Sequence, residues 1–240
     1  MNISQFKISK ISKAVLNWSY FILVIVVALG FHNAWVGMPK TEMNTVDGTA
    51  VLQALDPFQV VQNVLFVLSE LAIFEIFRRC LQKAKHFSMN LMMILLMVLS
   101  LLITVVQLIP SGDTISVHGT FQTTDFSKFK DNFVPIANLF LFLSQMVLGV
   151  SLIRKFVGKI RQYGWALVLC PLLTLVFQGL YTYMYTSVGG LSLNDLATYF
   201  TISQIATYAM MIVPLVMIRF TMSDDPQYED GDDTDVSEYK

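Results

Sequence analysis

Glu70 is the residue of this chain best placed to do chemistry. It is the one charged side chain between Pro57 and Phe74, in a stretch rich in Val, Leu and Phe. A charge at the middle of a membrane-spanning helix costs about 2.5–3.5 kcal/mol on insertion scales, so such a group faces a bundle interior or water and is a functional candidate by default. One reading makes Glu70 a proton- or cation-binding carboxyl. The other makes it a neutral acid hydrogen-bonded to a neighbouring helix, with Gln145 or Asn138 as partner. Ser69, Asn63, Asn138, Gln145 and Gln178 complete the candidate intramembrane polar site, and Gln204 lies in the last apolar stretch. Amides in lipid are costly unless paired, although measured interhelical hydrogen bonds average only about 0.6 kcal/mol. The set therefore suits a helix-packing seam and a polar pathway equally well. Glu75 stands four residues before Arg79, the favourable order for a local ion pair.

Other chemistries lack their residues. His32, His86 and His118 are scattered, and no HExxH or Cys/His cluster is present to hold zinc or haem. No phosphate-binding glycine loop and no GxSxG nucleophile context occurs. The carboxylates Asp47, Asp56, Asp113, Asp125 and Asp131 lack calcium-loop spacing. Cys80 and Cys170 form no CxxC pair, and neither falls where a disulfide outside the cytosol would form. No cofactor, metal, nucleic acid or enzymatic activity is expected; a small-molecule ligand stays unassigned.

The elements that must position Glu70 are set by composition. The 240 residues are 55% apolar and 14% charged, with mean hydropathy +0.59; a soluble domain carries about a quarter charged residues. About twenty apolar residues cross a hydrocarbon core of about 30 Å as a helix. Six such spans are expected, at about 15–36, 58–77, 89–109, 134–153, 165–186 and 197–218. The fold class is an all-α integral membrane protein, a six-transmembrane-helix bundle over 15–220. Trp18 and Trp35, and the tyrosines at 181, 183 and 185, fall where interfacial aromatic belts belong. Pro171 and Pro214 interrupt the hydrogen bonding of spans five and six; with Gly179 they mark that pair as kinked and able to line a cavity.

Twelve of the basic residues fall on one side: Lys7, Lys10 and Lys13, Arg78 to Lys85, Arg154 to Arg161, and Arg219. The opposite connections hold only Lys40, Lys128 and Lys130. Positive charge stays cytoplasmic, so both termini are expected there. Residues 1–14 read as a basic segment, a short surface helix or a leader without structure. Residues 221–240 read as an acidic, disordered cytoplasmic tail. Ala50 to Leu55 suggests a short interfacial helix, and Ile115, Val117 and Phe121 suggest a small β-hairpin. Pairing 58–85 with 133–160 aligns Asn63 with Asn138, Ser69 with Ser144 and Glu70 with Gln145, which leaves duplication and chance both open.

Two functions fit: a non-enzymatic interaction or regulatory membrane component, which the sparse intramembrane charge favours, or a permease-like or accessory subunit of a transport system using Glu70. The partners expected are the lipid bilayer, anionic headgroups at the basic loops and a protein partner in the membrane. The location expected is a plasma membrane, bacterial by default. The topology is checked by labelling intact cells: a tag at the carboxyl terminus should stay inaccessible from outside, and modification from the medium refutes the orientation.

Overall fold

Six helices long and apolar enough to cross a membrane dominate the computed structural model, which describes residues 3–36, 44–46, 49–51, 57–111, 113–116, 121–187 and 193–224. They are α1 (Lys10–Val36), α2 (Pro57–Lys83), α3 (Phe87–Leu108), α4 (Asp125–Lys155), α5 (Gly158–Ser187) and α6 (Leu193–Phe220). Each packs against the next in sequence, and α6 returns to touch α1 and α2, closing a ring. The order is the one that short connections impose on antiparallel neighbours. The helices leave many large apolar side chains exposed, Trp18, Leu68, Leu139 and Val176 among them; that is the surface lipid requires.

Each expected span coincides with one of these helices, but α1, α4, α5 and α6 begin four to nine residues earlier than expected and α2 ends six later. Helix α4 begins at Asp125, nine residues earlier than the expected 134, because Thr124 caps it: its Oγ1 accepts from the Ser127 N–H at 3.1 Å. Helix α1 begins at Lys10, so Lys10 and Lys13 are helical rather than part of a separate segment. The three prolines Pro135, Pro171 and Pro214 all lie inside continuous helices. The acidic tail after Asp224 lies outside the described residues.

The N-terminal residues are neither a surface helix nor a free leader. Phe6–Ile8 forms β1, which pairs in parallel with β6 (Met222–Asp224) across the end of the bundle where α1 begins and α6 ends. The strap is tied further: Phe6 N–H donates to Thr221 O at 2.7 Å, and Ile3 O and Ser4 O accept from Val157 and Lys159 N–H. Gly158 adopts φ +60°, and a Cβ there would sit 2.7 Å from Ser4 Cβ; only glycine lets the strap cross so close. Phe6 is 1% exposed and meets Phe77 of α2 and Phe156 edge-on at 5.7 and 5.6 Å. An alternation of Phe6 and Ile8 about Lys7 is a strand pattern, and burial of both apolar side chains on one face outweighs the helix alternative.

At the far end, β2 (Asn44–Val46), β3 (Thr49–Val51), β4 (Thr114–Ser116) and β5 (Phe121–Gln122) form one antiparallel sheet in that order. The expected hairpin at 115–121 is present. Of the interfacial helix expected over 50–55, Ala50 and Val51 belong instead to β3, and 52–55 lie outside the described residues. Asp47-Gly48 between β2 and β3 is the two-residue hairpin signature, and it outranks a helical reading of the residues after it.

Helices α4 and α5 approach most closely at paired glycines. A Cβ on Gly149 would lie 2.8 Å from Gly164 O, and one on Gly164 would lie 2.9 Å from Gly149 O. Small residues let membrane helices pack backbone to backbone. Gly179, by contrast, has nothing within 4 Å of its Cβ position. Gly149→Ala and Gly164→Ala should each destabilise by about 1–3 kcal/mol, as overpacking does, lowering the melting temperature in detergent by about 2–4 °C per kcal/mol. Gly179→Ala should leave it unchanged or raise it.

Candidate functional site

Helices α2 and α3 run antiparallel from the turn at Ala84–His86, where Lys85 takes φ +56°. Glu70 stands fifteen residues before Lys85 and Ser100 fifteen after it, so an antiparallel pair places them level. Ser100 Oγ donates to Glu70 Oε2 at 2.6 Å. The distance is that of a charge-assisted or acid–hydroxyl bond. Glu70 is thirteen residues, about 20 Å, from the end of α2. That depth matches the middle of a bilayer.

The expected companions are not assembled around it. Ser69 is buried, but its hydroxyl donates to Leu65 O of its own helix at 2.8 Å. Asn63, Asn138 and Gln178 are exposed and Gln145 is half-buried; none makes a side-chain hydrogen bond among the described residues. Glu70's partner is therefore Ser100 on α3, not Gln145 or Asn138 on α4. Asn63 and Asn138 each stand sixteen residues from the arginines Arg79 and Arg154, about 24 Å along the helix. That is near the far boundary of a core about 30 Å thick, where amides meet water. They form a rim rather than a seam.

Other polar groups carry the interior. Gln62 Nε2 donates to Val26 O at 3.0 Å, tying α2 to α1 beside an apolar crevice of about 180 Å³ lined by Ile22, Leu29, Phe58 and Leu65. Tyr20 OH donates to Leu215 O, tying α1 to α6. Tyr163 is fully buried against Phe77 at 5.0 Å, and its hydroxyl has no hydrogen-bond partner among the described residues. Glu75 pairs with Arg79 as expected, at 2.9 Å, and also holds Arg78 through both carboxylate oxygens at 2.6 and 2.7 Å. Arg78 extends the contact to Asn90 on α3 at 3.4 Å. Ser100, Gln62 and Tyr20 were hidden in the sequence because each depends on helix-to-helix depth; for Ser100, counting from the turn would have shown it.

At the far end a cleft of about 440 Å³ opens between α3 and α4, lined by Gln107, Ser111, Asp113, Thr123, Lys130 and Asp131. Its polar groups are mostly committed. Asp113 Oδ1 accepts from Thr124 N–H at 3.0 Å and Oδ2 from Ser127 Oγ at 2.9 Å. Thr124 Oγ1 donates to Ser111 O at 2.5 Å, and Lys130 Nζ donates to Gln107 O and Ile109 O, the last carbonyls of α3. The Thr124 N–H, with the hydroxyls of Ser127 and Ser111, holds the Asp113 carboxyl below the usual carboxylate range. Among the described residues no group of three His, Cys, Asp or Glu could hold a metal ion.

The chain matches no family model, no curated protein and no solved structure. The site therefore rests on its own geometry. Because folding lowers the Asp113 pKa, its stabilisation is complete above about pH 4 and is lost as pH falls through the depressed value. Hydrogen-exchange protection of Thr124 and Ser127 should be flat from about pH 5 to 8 and fall only below about pH 4. Asp113→Asn should lower protection at neutral pH and abolish the acid-dependent fall; a transition near pH 6 contradicts this account.

Proposed function

We propose that the chain is a multi-pass membrane protein with both termini in the cytosol, acting as a non-enzymatic interaction or regulatory component. The observation that carries this reading is the apolar packing at the basic end. At the basic end Phe6, Phe77, Phe156 and Tyr163 pack into one apolar core with Leu81, Leu148 and Leu152. At mid-depth the Glu70 carboxyl is engaged by Ser100, and neither cleft described above reaches it. Asn63, Asn138 and Gln178 are exposed, and Gln145 makes no side-chain hydrogen bond among the described residues. Twelve basic residues, on the strap and the start of α1, over 78–85 and 154–161 and at the end of α6, support the cytosolic placement of that end.

The second reading, a permease-like or accessory transport subunit with Glu70 binding a proton or cation, draws on one specific observation. The carboxyl is half-buried at mid-helix and directly hydrogen-bonded across two helices, the arrangement a proton relay uses. Flux separates the two. Purified protein in liposomes under an imposed potential should carry no proton or alkali-cation current above protein-free vesicles, and Glu70→Gln should leave the set of proteins co-purifying from native membrane unchanged. A current abolished by Glu70→Gln selects the transport reading instead.

A further inference from the structure

The basic end of the bundle carries more positive charge than its own described side chains neutralise. Lys10, Lys85, Arg154, Lys155, Lys159 and Arg161 are exposed there and form no ion pair among the described residues. Glu75, the carboxylate described nearby, is already held by Arg78 and Arg79. These cations belong to one surface. The strap bonds the 157–160 turn to the start of the chain, and β1 pairs with β6 so that Ile8 lies opposite Asp224. Lys10 comes two residues after Ile8. The parallel register thus leaves Asp224, where the described residues end, beside the entry to α1, on the same end as the other five cations.

The sequence beyond Asp224 is the complement of that surface. Residues 225–240 contain seven carboxylates and one lysine. We propose that this segment docks on the basic end of its own bundle, its carboxylates lying against those six exposed cations. Sixteen residues extend to about 50 Å, enough to cross an end built from six helices each about 10 Å wide. Single exposed ion pairs are weak; the tether compensates by holding the segment at a local concentration of the order of millimolar. The attraction is electrostatic and graded, so it yields to salt, as the screening length shrinks from about 8 Å at 0.15 M to about 3 Å at 1 M. Anionic lipid headgroups are the rival for the same cations, and the segment competes with them from within the molecule.

The test uses the full chain in nanodiscs of phosphatidylcholine, treated with a carbodiimide that joins carboxylates to amines in direct contact. Amide links should appear between the carboxylates of residues 225–238 and Lys10, Lys85, Lys155 or Lys159, falling several-fold between about 0.15 and 1 M salt. They should persist when phosphatidylglycerol, which has neither amine nor carboxylate, is added. As an independent readout, changing all seven segment carboxylates to amides should speed tryptic cleavage at Arg154 and Lys159 several-fold. Absence of the links in phosphatidylcholine overturns the proposal. Their loss on adding phosphatidylglycerol does so as well, by assigning the surface to lipid.

Discussion

A hydroxyl or amide inside hydrocarbon has no water to bond, so it must find a partner on its own helix or on a neighbour. That constraint organises the bundle's polar side chains. Ser19, Ser69, Ser144, Ser151 and Thr174 all take the local solution, donating to the carbonyl four residues back at 2.7–3.1 Å. Such back-bonding satisfies the hydroxyl without specifying a neighbour. Ser100 takes the other solution because a carboxyl stands level with it on α2. Gln62 and Tyr20 likewise reach across to backbone carbonyls of α1 and α6. The ring α1–α2–α3 and its closure through α6 are thus marked by three cross-helix bonds, while apolar packing supplies the rest.

The two ends of the molecule solve different problems. At the basic end the chain's own start is drawn into the core: Phe6 fills the space between α2 and the α4–α5 turn, and β1 binds the last strand. His86 completes that floor, with its ring edge-on to Phe156 at 5.1 Å; burial and the nearby Lys155 push its pKa down, so the neutral ring is the form that fits. At the far end the packing gives way to a cleft, a capped helix start and a four-stranded sheet shared by two connections.

The spans were legible because twenty apolar residues have few alternatives in a chain with so little charge. The short elements were not, and each for a local reason. Phe6 and Ile8 alternate over only three residues, too few to separate a strand from a basic amphipathic turn until Thr221 and Ser4 are seen to bond across the bundle. Thr124 is an ordinary cap residue, but in a stretch already assigned to a loop its role is invisible without Ser127 folded onto it. Of the candidate site, Glu70's depth was readable and its partner was not. Partner choice depends on which helix faces which, and the amides on α4 were attractive by chemistry alone.

Depth counting explains why those amides failed. Gln145 lies as far before the short 156–157 connection as Val168 lies after it, so the residue level with it on α5 is apolar. Glu70, at the aligned position on α2, meets Ser100 by the same count from its own turn. Ser69 and Ser144 keep identical back-bonds, to Leu65 and Phe140, and are buried alike. The similarity between 58–85 and 133–160 therefore extends to helix-internal hydrogen bonding, which any serine on an apolar helix adopts. It stops at Glu70, whose counterpart Gln145 makes no side-chain hydrogen bond among the described residues. Whatever Glu70 contributes, it does so once in the ring, through α2 and α3, and a function distributed symmetrically over two halves has no second carboxyl to use.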